Sequence, residues 1–135
     1  MAYTNTLITI APDCPVAQSE LPVAKKRKPA HLHEYELLTA KPYTLNHKDL
    51  VFEIHLLKKD LENLSTDERQ EIWDTLHSKG QPCMRASSLC KRYGFGAHYN
   101  SEGKIAVYGM ESETYQKLMA DPDVEKRPAM RSKRK

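Results

Sequence analysis

No stretch of this 135-residue sequence holds more than a few consecutive apolar residues, whereas a membrane-spanning helix needs about 18 or more. A soluble chain is the expectation. The N-terminal segment MAYTNTLITIAPDCP lacks both a basic leading region and an apolar stretch of secretory length, so no signal peptide is expected. Cysteine is scarce and odd in number, at positions 14, 83 and 90. A chain of this length buries roughly two thirds of its unfolded surface without staples, so reduced thiols in the cytoplasm are expected rather than a disulfide framework.

Carboxylates are missing where the chain is otherwise richest in reactive side chains. The protein has 18 Asp and Glu residues, yet none falls between Thr75 and Ser101. That interval contains two of the three cysteines, three of the five glycines, Arg85, Lys91, Arg92 and His98. Its central run, GQPCMRASSLCKRYGFGAHYN, has the composition of a site or of a tightly folded turn region.

The net charge of +3 is unevenly distributed. Residues 25–28 (KKRK) carry +4 and residues 126–135 (KRPAMRSKRK) carry +6, which leaves −7 for the rest. Basic runs attract phosphate, and they are as often solvated tails. The plainer reading assigns 126–135 to a basic C-terminal tail following a single domain over 1–125.

Thr6–Ala11 is β-branched and apolar, which predicts a strand. Prolines at 12, 15, 22 and 29 then rule out interior helix or central strand over that excursion. Leu32, Tyr35 and Leu38 recur at helical spacing before Pro42, predicting a helix over 31–41. LVFEIHLL is ambiguous: Leu50, Phe52, Ile54 and Leu56 alternate, while Leu50, Ile54, Leu57, Leu61 and Leu64 trace a helical stripe. Its strand-forming Val51, Phe52 and Ile54 favour a strand ending at Leu57. Ser65 and Glu68 form a capping box that opens a helix, with Gly80 as its stop. Ser112 caps a last helix carrying Tyr115, Leu118 and Met119 on one face, ended by Asp121 and Pro122. The resulting expectation is an α+β single domain with a small, mainly antiparallel sheet, a C-terminal β-hairpin and about three packed helices.

The hairpin loop decides which way His98 points. A three-residue loop, Ser101–Gly103, with Gly103 left-handed, pairs Tyr99 with Ile105 and Ala97 with Val107. Burying Ile105 and Val107 together contributes roughly 1.5–3 kcal/mol each, whereas an even loop would bury His98 beside them. His98 and Tyr108 then share the opposite face, where Tyr108 is expected to cover Gly96 and leave room above His98.

Three chemistries compete for this region. A metal site built on Cys83, Cys90 and His98 lacks close ligand spacing, so no metal or cofactor is expected. A Cys83 nucleophile with His98 as base lacks an acyl-transfer signature. Anion binding fits better: Arg85, Ser87, Lys91 and Arg92 supply forked donors, a hydroxyl and charge with no carboxylate competing, and His98 and Tyr108 complete the candidate set. The plainer alternative pairs Arg85 and Arg92 with carboxylates such as Glu53, Asp60 or Glu71.

DCP at 13–15, KGQPCMRAS at 79–87, KRYGFG at 91–96, GKIAVYGMES at 103–112 and AMRSKRK at 129–135 resemble a family of small uncharacterised bacterial proteins classed as a domain of unknown function. The resemblance spans nearly the full length and is most specific over 80–96. Family members commonly carry Trp at the position of Phe95. The resemblance implies a bacterial, intracellular, single-domain protein and brings no activity, cofactor or catalytic residue. It also implies that the AMRSKR ending is a motif, favouring a basic tail docked on the body. The functional expectation is therefore a binding protein for an anionic small molecule or nucleic-acid phosphate, with no membrane partner. The alternatives are a cysteine- or metal-dependent enzyme and a structural or protein-interaction module.

Overall fold

The computed structural model describes residues 3–22, 28–79 and 83–131. In chain order it contains strand β1 (Thr6–Thr9), helices α1 (Ala30–Ala40), α2 (His47–Lys58) and α3 (Thr66–His77), a 3₁₀ turn at Met84–Ala86, and helix α4 (Ser88–Lys91). Strands β2 (Phe95–Tyr99) and β3 (Ile105–Gly109), helix α5 (Glu113–Ala120) and strand β4 (Glu125–Pro128) follow. The four strands form one mixed sheet in the order β3-β2-β1-β4, antiparallel throughout except for the β1–β4 pair. The fold is α+β, and five helices are present among the described residues.

Both faces of the sheet are covered. Ile8, Ala97, Tyr99, Ile105 and Val107 face a large core with Leu38 of α1, Leu50 and Ile54 of α2, Met84, Leu89 and Cys90. Leu7 points the other way, into a smaller cluster with Tyr115 and Val124, flanked by Tyr108, Met110 and Leu118. β1 sits between two neighbours and two cores, and its TLIT sequence is buried or half-buried along its length for that reason.

The strand expected at Leu50–Leu57 is helix α2. Leu50, Phe52, Ile54 and Leu56 are all buried, and their alternation reflects two opposed contacts rather than one sheet face. Leu50 and Ile54, four apart, enter the large core. Phe52 turns toward α3 and meets Trp73 edge-on at 5.2 Å, under the guanidinium of Arg69. Asn46 and Asp49 form a full capping box at its start, which fixes helix where side-chain alternation suggested strand.

The other local signals hold. Ser65 and Glu68 exchange their capping hydrogen bonds, and α1 lies within a residue of the range its spacing predicts. Gly80 lies outside the described residues, as does KKRK apart from Lys28, which pairs with Glu36 at 2.8 Å. The hairpin has the three-residue loop: Gly103 takes φ +78, Tyr99 pairs with Ile105 and Ala97 with Val107.

One detail of the hairpin is corrected. Tyr108 does pair across from Gly96, but the ring that lies on Gly96 belongs to Tyr115 of α5, so close that a methyl at Gly96 would collide with it. The Tyr115 hydroxyl continues on to accept from the Ile10 amide at 3.3 Å. A bare strand position is what lets α5 approach the sheet.

The charge boundary at Lys126 falls inside β4, which pairs with the whole of β1. Lys126 donates to the carbonyls of Asp121 and Val124, neutralising the end of α5. Ala129 is buried and its amide donates to Thr9. Through Ala129, therefore, the basic segment is part of the sheet layer.

Candidate functional site

The carboxylate-free segment is folded by its own short elements. Cys83 precedes the 3₁₀ turn, and Ser87 ends that turn and caps α4, its hydroxyl accepting from Leu89 N at 3.1 Å. Met84, Leu89 and Cys90 are buried in the large core, and Arg85, next to Met84, is directed toward β4. Its Nε donates to the carbonyl of Pro128 at 2.7 Å, and the Met130 amide donates to the Arg85 carbonyl at 2.8 Å.

Tyr3 completes this corner. Its hydroxyl is 3.9 Å from the Cys83 thiol, its ring meets Tyr99 edge-on at 5.2 Å, and the Arg127 guanidinium lies 5.8 Å from its ring centre. Burial and the Cys83 thiol push the Tyr3 phenol above its ordinary pKa, while the Arg85 guanidinium beside it pulls the other way. Arg127 also contacts Glu125 at 3.1 Å. Among the described residues no carboxylate lies within ion-pair distance of Arg85, Lys91 or Arg92. The pairing of Arg85 and Arg92 with Glu53, Asp60 or Glu71 is therefore not formed; Glu53 meets Arg69 instead, at 3.8 Å.

The six expected site residues do not form one cluster. Arg85 and Ser87 lie on the large-core side of the sheet, and Lys91 and Arg92 close α4, with Arg92 exposed. Ser87 is occupied, its hydroxyl donating to Glu34 of α1 at 2.5 Å. His98 and Tyr108 belong to the opposite face, where Tyr43 joins them: Tyr108 Oη donates to Tyr43 Oη at 2.9 Å, and Tyr43 Oη lies 2.8 Å from His98 Nδ1. The room expected above His98 is filled by Tyr43.

That separation bears on the enzymatic alternatives. Cys83 packs against the large core and His98 lies across the sheet from it, so they form no nucleophile–base pair. Cys90 is fully buried, and burial first, with Glu34, Cys14 and Cys83 adding to it, raises its thiol pKa. No group of three or more His, Cys, Asp or Glu able to hold a metal occurs among the described residues.

Sequence reading missed Glu34, Tyr43 and Tyr3. Glu34 is a half-buried carboxyl whose pKa rises to about 7 because burial outweighs the hydrogen bond from Ser87. It carries no recognisable motif. Tyr43 depends on an unusual backbone conformation and Tyr3 on a contact 80 residues away, neither of which spacing reveals.

Fold and site together define a small α+β domain whose basic sheet edge is built from two segments distant in sequence. The chain belongs to a family of unknown function, DUF6157, whose model matches residues 1–135. No curated protein and no solved structure matches it. No helix among the described residues is long and apolar enough to cross a membrane.

Proposed function

We propose that the protein is a cytoplasmic bacterial binding protein that holds an anionic group at Arg85, beside the basic strand β4. The carrying observation is that Arg85 is oriented through Nε by Pro128 while no described carboxylate neutralises it. A guanidinium fixed by one edge keeps its remaining N–H donors in a planar fork suited to carboxylate or phosphate oxygens. Arg131, exposed just beyond Met130, adds positive charge to the same segment, the charge of Arg127 being offset by Glu125, and the Tyr3 hydroxyl adds a neutral polar group. Three free thiols support a reducing compartment, and the bacterial assignment rests on the sequence resemblance.

The anion belongs to a small molecule or to a nucleic-acid backbone, and salt dependence separates the two. Titration with inorganic phosphate, followed by NMR shifts of the Arg85 side chain, tests the first. Fluorescence anisotropy with a single-stranded oligonucleotide across a salt series tests the second, for which log affinity falls linearly with log salt. Arg85→Gln is expected to weaken whichever anion binds by about tenfold or more. Wild-type binding by Arg85→Gln, or no binding of either anion by the native protein, overturns the proposal.

A further inference from the structure

The segment joining α1 to α2 runs along the outer edge of β3. Tyr43 N donates to Ile105 O at 3.0 Å, Ile105 N donates to Leu45 O at 2.9 Å, and Asn46 bridges to Lys104. Tyr43 takes φ +59, a left-handed conformation that costs a side-chain-bearing residue roughly 1–2 kcal/mol. The unfavourable turn places its ring past the edge strand and against His98, edge-on at 5.6 Å. Ala106 pairs with His98 on the intervening strand, and its small side chain leaves the path over β3 open.

We propose that residues 41–46 form a pH-sensitive strap, held on the sheet by the hydrogen bond from Tyr43 to neutral His98 and loosened when His98 takes up a proton. Tyr108 donates its proton to Tyr43, which leaves the Tyr43 proton available to His98 Nδ1 when that nitrogen is bare. Neutral His98 then carries its proton on Nε2. An imidazolium has no acceptor to offer: its Nδ1–H would face Tyr43 Oη, and the Tyr43 proton would have to turn away from it.

The surroundings of His98 set the sign. From α5, the Asp121 carboxylate favours the imidazolium, but burial outweighs it and His98 lies below its ordinary pKa. The strap and β3 contribute phenols, and burial with the Tyr108 contact keeps Tyr43 protonated to well above its usual range. On β1 the paired residue is Leu7, and beyond it the Lys126 ammonium is turned onto the carbonyls of Asp121 and Val124. A histidine with a lowered folded-state pKa stabilises the native strap above about pH 6.5. That contribution is lost as pH falls through the folded-state value. Loosening would uncover the outward N–H and C=O of Ile105 on the edge strand.

Amide hydrogen exchange at Tyr43 and Ile105, corrected for intrinsic exchange, reads the strap directly. Protection in the native protein is expected to fall roughly tenfold between pH 7.5 and pH 5, the effect of one hydrogen bond. Tyr43→Phe should show the lower protection at both values, and His98→Gln, whose amide oxygen accepts without titrating, should keep the higher protection at both. Nitrogen-15 NMR of His98 should show a bare Nδ1 at pH 7.5. A proton on Nδ1 at that pH, pH-independent protection in the native protein, or undiminished pH dependence in Tyr43→Phe overturns the proposal.

Discussion

Arg85 and Pro128, 43 residues apart, are joined by a hydrogen bond of 2.7 Å from Nε to the carbonyl, and Met130 returns a bond to the Arg85 carbonyl at 2.8 Å. Two of the resemblance motifs thus meet in space, at Arg85 and at Met130. Arg85 supplies a side-chain donor and a backbone acceptor, and Pro128, which ends β4, and Met130 supply the backbone groups that meet them.

Replacing Arg85 with Ala removes that side-chain bond but not the backbone bond, so β4 should loosen without detaching. The expected cost is about 1–2 kcal/mol in urea unfolding, with faster amide exchange at Ala129. Arg85→Lys should not restore it, because an ammonium on a flexible stem does not reproduce the Nε geometry. Unchanged exchange at Ala129 in both variants would remove this role.

Gly96 lies beneath the Tyr115 ring. Gly96→Ala should destabilise the protein by roughly 1–3 kcal/mol through overpacking. The penalty should shrink in a Tyr115→Leu background, where the ring is absent, so a double-mutant cycle on denaturant midpoints measures the contact. Equal penalties in both backgrounds would show that the collision is not the cause.

The Glu34 carboxyl has a folded-state pKa of about 7, above its ordinary 4.5. The folded protein therefore binds the proton more tightly than the unfolded chain, and stability should decline as pH rises from about 4.5 to 7 and then level off. The whole change is at most roughly 3 kcal/mol. Glu34→Gln keeps an oxygen for the Ser87 hydroxyl and should abolish this decline, making the variant the more stable of the two at pH 8.5. Thermal melts across pH 5–8.5 check the sign.

Ser65 caps α3 in a reciprocal pair with Glu68, whose carboxyl is held below its usual pKa by the Ser65 amide and, after it, the Ser65 side chain. Ser65→Ala should cost about 1 kcal/mol. Because α3 has no buried residue, the loss should show first as raised exchange within α3 rather than as global unfolding.

What was legible in the sequence was chemistry acting between near neighbours. Ser65 and Glu68, the loop at Gly103 and the register of Ala97 against Val107 all follow from rules spanning a few residues. α2 imitates a strand because Phe52 is buried against α3 while Leu50 and Ile54 enter the large core, so that two contact faces produce an alternating pattern. The Asn46–Asp49 capping box was the local sign that would have corrected it. Arg85 was legible as a candidate, and its contacts were not. Pro128 and Tyr3 reach Arg85 through the sheet order, and Tyr43 reaches His98 on the other face through a left-handed turn; neither leaves a periodic trace.

The order β3-β2-β1-β4 also has a kinetic consequence. β1 is made first, yet its two neighbours are residues 95–99 and 125–128, so every backbone bond it makes in the sheet spans a loop of some 90 residues or more. Closing such loops costs entropy before any pairing offsets it, which slows folding. The helices between have only one another to pack on until then. An emerging chain must carry TLIT, an apolar strand, unpaired while some 90 further residues are made, and that interval is when aggregation or chaperone capture competes with folding.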